Sequence, residues 1–275
     1  MKKTNSVLLS TPYLLWMAAF TLVPLGVVGY YALTDPSTGV FTLGNVRNLG
    51  MYLPVLWKSI AYSFVSAMIC LLLGYPVAYY IAHCSETAQK FLYMLIMLPM
   101  CMSFLLRTLA WVGLLQDTGI INSLLAKIGL PTLRLIRTPG AVVLGMVYNY
   151  LPFMVIPLYS IMTKIEPYTL EAAGDLGANP WNTFTRVVLP LSAPGITTGI
   201  TMVFVPSVST FIISRMLGGG SNMMVGDLIE TQFLGNAYNP NLGSAISLVL
   251  MVFILLVMSL MNQFEDNDDR GGMLI

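Results

Sequence analysis

The residues able to make or break bonds are few in this chain, and they are not arranged to do so. One histidine, His83, stands at the end of a hydrophobic run and reads as an interfacial residue rather than a metal ligand. Three cysteines, Cys70, Cys84 and Cys101, lie in or beside apolar runs without CxxC spacing and read as small buried hydrophobes. There is no HExxH, no Ser/His/Asp set and no carboxylate pair placed for acid–base work. No GxxxxGK[ST] occurs, so the chain cannot cradle nucleotide phosphates by that loop. Gly218-Gly219-Gly220 lacks the lysine such a loop needs and reads as a flexible turn. A membrane enzyme fits poorly. An ion-driven carrier would show intramembrane ionisable sites, and none is obvious. What remains are groups suited to recognition: aromatic faces, hydroxyls, and one polar stretch between apolar runs.

That stretch, residues 163–190, is punctuated as two short helices. Glu166-Pro167 supplies a cap followed by proline at the first helical position, where the missing N–H costs nothing. Gly177 provides the left-handed residue that stops the first helix, and Asn179-Pro180 repeats the starting signal. Leu189-Pro190 ends the second helix and begins the next apolar run. Glu171 and Asp175 share a face at i, i+4, Ala172, Ala173 and Gly174 allow close approach, and Trp181 and Phe184 offer aromatic anchors. The alternative is a plain solvated connector.

The surrounding chain must hold this hairpin in a bilayer. Of 275 residues, 56% are hydrophobic and 9% charged. Soluble proteins carry about a quarter charged residues, so the expectation is an all-α polytopic membrane protein. A net charge of +1 argues against a nucleic-acid partner. Met1-Lys2-Lys3 could open a secretory signal, but the apolar run Pro12 to Leu33 is long enough to span and reads as an uncleaved first helix. Residues 34–58 are expected to form an outer loop, followed by a second span from Ser59 to Ala82. A third span starts near Phe91 and is kinked at Pro99, with Arg107 at the outer interface or lining a wet cavity. Apolar residues at 120, 121, 124, 125 and 128 predict a surface helix over 119–130 that Gly129 ends.

The fourth span, Pro139 to Met162, carries Tyr148, Asn149, Tyr150, Pro152 and Tyr159. The fifth, Leu191 to Ser214, is rich in small and hydroxyl residues, and Gly195 and Gly199 form a GxxxG that favours close helix contact. An outer loop over 215–241, a sixth span from Leu242 to Met261 and a solvated acidic tail, Glu265 to Arg270, complete the chain. Six spans put both termini on one side. Basic residues do not fix which: six lie on each side before Arg107 is counted, Lys2, Lys3, Lys90, Lys164, Arg186 and Arg270 against Arg47, Lys58, Lys127, Arg134, Arg137 and Arg215.

Glu171-Ala172-Ala173, Gly177 and Leu189-Pro190 stand at the offsets of the EAA motif, and the hairpin resembles that of permease subunits of binding-protein-dependent ABC importers. Val187 stands where the motif usually has Ile. Beyond the hairpin, Arg107-Thr108-Leu109-Ala110-Trp111, Gly119 to Ser123, Gly145 to Ser160, and Leu217-Gly218-Gly219-Gly220 with Gly226-Asp227-Leu228-Ile229 are similar to B-type spermidine/putrescine permeases. The likeness covers roughly residues 60–260. Arg215 departs from it, standing where some relatives are expected to carry an acid.

The resemblance implies a single permease domain over 1–275 with the six-helix type I ABC importer fold. It would be multi-pass in the bacterial cytoplasmic membrane, with both termini inside. It implies a C-type partner permease, a dimeric cytoplasmic ATP-binding subunit and an extracytoplasmic polyamine-binding protein. ATP and Mg would sit on the partner subunits, with no cofactor in this chain. Glu171, Ala172, Ala173, Asp175, Gly177, Trp181, Phe184, Leu189 and Pro190 would then couple to the ATPase. For a polycation, Trp111, Tyr148, Tyr150 and Tyr159 supply aromatic faces, and Thr197, Thr198, Ser207 and Thr210 supply hydroxyls along the path. Carboxylates are scarce in the spans, so the partner permease is expected to provide the acidic side. The rival readings are a permease of the same fold for an anion or ferric ion, and a membrane scaffold without transport.

Overall fold

The computed structural model describes residues 3–35, 38–235 and 238–271. Helix α1 (Lys3–Ala32) is followed by two short turns, α2 (Gly44–Arg47) and the 3-10 turn Asn48–Tyr52. Helix α3 (Leu53–Ala82) then starts at Leu53 rather than near Ser59, because Pro54 fits the first turn, where its missing N–H is no loss. Among the described residues five helical stretches, one of them Phe104–Lys127 taken as a whole, are long and apolar enough to cross a membrane, or up to six if one bent pair counts as a single span. Their outward side chains are what a bilayer requires: Trp16, Phe20, Leu72 and Leu256 are all at least 60% exposed.

The third span is not merely kinked. Helix α4 (Glu86–Met97) passes into a 3-10 turn at Leu98–Cys101, and Met102 and Ser103 are extended. Helix α5 (Phe104–Leu115) restarts beyond them. Pro99 removes one ladder donor and clashes with the preceding turn. The interruption puts Cys101 in the open, and Cys84 at the turn after α3 is half-buried, so only Cys70 is the buried hydrophobe expected. His83 is exposed, its Nδ1 2.8 Å from the Tyr79 carbonyl. The short helix expected over 119–130 is present as α6 (Ile120–Lys127), with Gly129 in the left-handed region at φ 78°. Its Ile120 and Leu124 are exposed while Asn122 is buried, its amide exchanging two 2.9 Å bonds with the Leu133 backbone.

Helix α7 (Pro139–Met162) matches the expected fourth span and is the buried axis of its unit. Past it come α8 (Pro167–Asp175), α9 (Pro180–Thr183), a π turn at Phe184–Val188 and α10 (Leu189–Leu191). The helix therefore runs through Pro190, and the break falls at Ser192, where the axis bends by 61° into α11 (Ala193–Ser209). Helix α11 stops at Thr210, short of the expected Ser214. Pro206 removes a ladder donor there, and the backbone of Gly226 closes on the break: a Cβ at 226 would lie 2.5 Å from the Ser209 and Thr210 carbonyls.

The expected outer loop over 215–241 is largely ordered structure. A π turn at Ser214–Gly218 and a 3-10 turn at Gly220–Asn222 lead into α12 (Val225–Leu234). The glycine run is a packed turn rather than a loose one, since a Cβ on Gly218 would meet Val142 at 2.8 Å. Helix α13 (Pro240–Gly271) continues past Met261, and the acidic tail from Glu265 to Arg270 lies outside the described side chains.

The chain divides into two compact units, 1–54 with 228–255, and 55–227 with 256–275. In the first, the amides of Asn45 and Asn241 both donate to the Thr34 carbonyl, at 2.9 and 2.8 Å. They also reach the Ala32 and Tyr31 carbonyls, which close the unpaired end of α1. In the second, α7 and α11 pack along the GxxxG: a Cβ on Gly195 would sit 3.2 Å from the Pro157 carbonyl, and one on Gly199 would sit 2.6 Å from Met154 Sδ. Close contact, not lipid, is what these glycines serve. Gly199→Leu is expected to overpack this contact by about 1–3 kcal/mol. A fall of roughly 2–10 °C in the melting temperature of the detergent-solubilised protein would report it. Gly199→Ala, which a rotation of Met154 can absorb, should fall much less.

Candidate functional site

The hairpin of α8 and α9 is built as its punctuation requires. Glu166 is extended at φ −67° and ψ 135° and Pro167 takes the first turn, although the Glu166 side chain makes no capping bond. Helix α8 ends in a Schellman motif: Ala178 N–H donates to Ala173 O at 3.0 Å and Gly177 N–H to Gly174 O at 2.8 Å. That closure needs Gly177 at φ 81°, a conformation costly for any residue with a Cβ. Asn179 then caps α9, its Oδ1 accepting from Asn182 N–H at 2.8 Å.

The hairpin shows its apolar groups to the outside. Helix α8 buries none of its residues, and Tyr168, Leu176 and Trp181 are 77%, 90% and 70% exposed. Glu171, Ala172, Asp175 and Gly177 are exposed beside them, and Ala173 is half-buried. Such a surface has the composition of an interface core with nothing yet on it. Phe184 differs from Trp181. The two rings stack at 5.9 Å, but Phe184 also meets Tyr75 and Tyr79 of α3 edge-on at 5.7 and 6.3 Å. Tyr75 Oη and Ser192 Oγ, 2.9 Å apart, tie the bend after α10 to the same helix. Leu189 and Pro190 lie exposed on the turn just before it. Tyr75, Tyr79 and Ser192 are thus the bolts that fix the hairpin to the spans. Sequence reasoning passed over the two tyrosines, though their i, i+4 spacing marks one face of α3.

The residues expected along a path do not form one cluster. Trp111 and Tyr148 make an edge-on pair at 5.4 Å. Tyr150 is buried, its hydroxyl donating to the Pro206 carbonyl at 3.4 Å and reaching the Thr210 side chain. Tyr159 instead donates to Gln89 Oε1 at 3.1 Å, and Gln89 holds the Ala82 and Cys84 carbonyls at 3.0 and 2.9 Å. It staples the turn between α3 and α4. The hydroxyls of Thr197, Thr198 and Ser207 donate to Ala193, Pro194 and Val203, one turn back on their own helix.

A different group stands out between the two interruptions. Arg107 is 8% exposed, on the first turns of α5, its guanidinium 5.9 Å from the centre of the Phe104 ring. Phe104 in turn lies 6.3 Å from Tyr150, which meets the end of α11. Neither Nε nor Nη1 of Arg107 has a hydrogen-bond partner among the described residues. An unpaired buried charge costs several kcal/mol, and a guanidinium cannot shed its proton to escape that cost. Arg107, expected at the outer interface or lining a wet cavity, lies mostly buried beside Phe104. At the end of the unit opposite the hairpin, a cavity of about 710 Å³ is lined by Asp117, Arg137 and Arg215 among others. Among the described residues no group of three His, Cys, Asp or Glu side chains could hold a metal.

Residues 4–267 match the family described as the binding-protein-dependent transport system inner membrane component. The chain belongs to this family. The spermidine/putrescine transport system permease protein PotB of Haemophilus influenzae is 36% identical over 251 residues, covering 88% of this chain and 87% of that protein. The PotB of Escherichia coli K12 is likewise 36% identical, covering 88% and 91%. Among solved structures, a bacterial alginate ABC transporter in complex with its alginate-loaded periplasmic protein superposes with a TM-score of 0.79 at 16% identity, over 96% of both chains. That likeness carries the fold: an all-α type I ABC importer permease. The permease is a non-catalytic, multi-pass membrane subunit.

Proposed function

We propose that this permease forms one half of the path of an ATP-driven polyamine importer, and that the hairpin of α8 and α9 docks into a cytoplasmic ATPase. The observation that carries the coupling role is the bare apolar surface of Tyr168, Leu176 and Trp181 on a hairpin bolted through Phe184 and Ser192 to the spans. Burying those side chains supplies the grip, and the bolts turn a movement of the docked hairpin into a tilt of α3 and α11. ATP closure of the ATPase dimer draws the hairpins together and opens the path outward, and hydrolysis resets it. In this reading residues 1–275 act as one transmembrane domain with both termini and the hairpin in the cytoplasm.

Spermidine or putrescine as cargo is supported by the identity to the two PotB proteins. Trp111, Tyr148 and Tyr150 present the aromatic faces a desolvated ammonium needs, each worth about 0.5–2 kcal/mol. The other components are a C-type permease, an ATPase dimer and a polyamine-binding protein outside. An anionic solute is the second reading, favoured by the buried Arg107 and by Arg137 and Arg215 lining the opposite cavity. Copurification of the tagged permease is expected to bring down an ATPase whose turnover rises with spermidine-loaded binding protein. ATPase recovered but deaf to polyamines, and stimulated by an anion instead, would favour the second reading. A permease recovered with no ATPase would leave only a scaffold.

A further inference from the structure

We propose that Arg107 is an internal stand-in for the cargo: in the empty transporter its guanidinium pairs with a carboxylate of the partner permease, which a cationic group of the solute takes over in transit. The inference rests on the polyamine reading above for the identity of the solute, and on the geometry for the pairing.

Four observations converge on an anion at this point. Nε and Nη1 of Arg107 are buried without hydrogen-bond partners among the described residues. The guanidinium sits on the first turn of α5, whose free N–H groups and dipole add positive potential rather than relieve it. None of α3, α5, α7 or α11 contains an Asp or a Glu; elsewhere in this unit Glu86, Asp117 and the hairpin acids are exposed, and the buried Asp227 accepts from Met224 N–H through Oδ2. The neighbouring Tyr150 hydroxyl donates to the Pro206 carbonyl and, being neutral, supplies no countercharge. No carboxylate of the described residues pairs with the guanidinium, and a neighbouring subunit is the source that can bring one.

The site also looks like one built for a cargo ammonium. The Phe104 ring faces the guanidinium at 5.9 Å, with Tyr150 next to it, which is the aromatic setting that holds organic cations. It lies where two helices are broken, at Met102–Ser103 and at Thr210, and discontinuous helices are where secondary transporters build their binding sites. A fixed carboxylate that attracts the solute would, in the empty state, stand unpaired in a low-dielectric path. A permanent cation opposite it removes that cost and yields it when a second cation arrives.

The test uses the assembled complex of this permease, its partner permease and ATPase. In the cargo-free complex, Arg107→Gln is expected to lower the melting temperature, and amide replacement of one membrane-embedded Asp or Glu of the partner is expected to do the same. The double variant should return to within a degree or two of the parent, because no lone charge is left. Spermidine should restore the Arg107→Gln complex, while equal ionic strength of sodium chloride should not. If no partner carboxylate shows this compensation, the proposal is overturned, whatever the solute. If chloride or acetate titrates the stability of the parent complex instead, the counter-anion comes from solution and the partner assignment falls. Compensation without spermidine rescue would keep the pairing and sink the polyamine reading. Should Arg107→Gln fail to assemble, Arg107→Lys, which keeps the charge, is expected to assemble and to show the same coupling to the same carboxylate.

Discussion

Trp181→Ala combined with Leu176→Ala is expected to release the ATPase from the purified complex while the permease still inserts in the membrane. Both side chains are more than two-thirds exposed in the isolated chain, so removing them costs its own fold little. Burial of each against a partner is worth about 1.5–3 kcal/mol. Losing both therefore amounts to roughly 3–6 kcal/mol, or about two to four orders of magnitude in affinity. Phe184→Ala makes the instructive contrast. Its ring is wedged against Tyr75 and Tyr79, so its loss should lower thermal stability first. ATPase recovery unchanged by the Trp181 and Leu176 pair would show that the hairpin is not the docking surface.

Gly177→Asp is expected to reduce uptake at least tenfold with membrane insertion intact. Nothing crowds the space a Cβ would enter, so the effect is not a clash. It arises from the backbone: the Schellman closure holds Gly177 at φ 81°, and a side chain there costs about 1–2 kcal/mol. The hairpin relieves that cost by changing the angle between α8 and α9, which is the angle a docking surface depends on. The new carboxylate also stands two residues from Asp175. Gly177→Asn, which tolerates the left-handed region without adding charge, should lose less. Normal uptake by the Asp variant would remove the coupling assignment.

Much of this was legible in the chain itself. The 139–162 span, the short helix stopped by Gly129, and the hairpin with its Gly177 closure follow from hydrophobic run length and from what glycine and proline do to a backbone. Those signals are local, and the close contact expected at Gly195 and Gly199 follows the same logic of size. Where the spans break was not legible. Pro99 announced a kink and the fold made a gap at Met102–Ser103. Pro190 announced an end, and the helix absorbed it in a π turn and bent at Ser192.

The sequence by itself determined that this is a membrane bundle carrying one exposed, glycine-hinged hairpin, because bilayer thickness and backbone stereochemistry act on a few consecutive residues. Only the tertiary structure decided which side chains meet. It separated Phe184, turned inward onto α3, from Trp181, turned outward. It engaged the hydroxyls of Thr197 and Thr198 on their own helix, and it set Arg107 against Phe104. Those outcomes depend on how neighbouring helices share a small number of close contacts, and spacing along one helix holds no record of what stands opposite it.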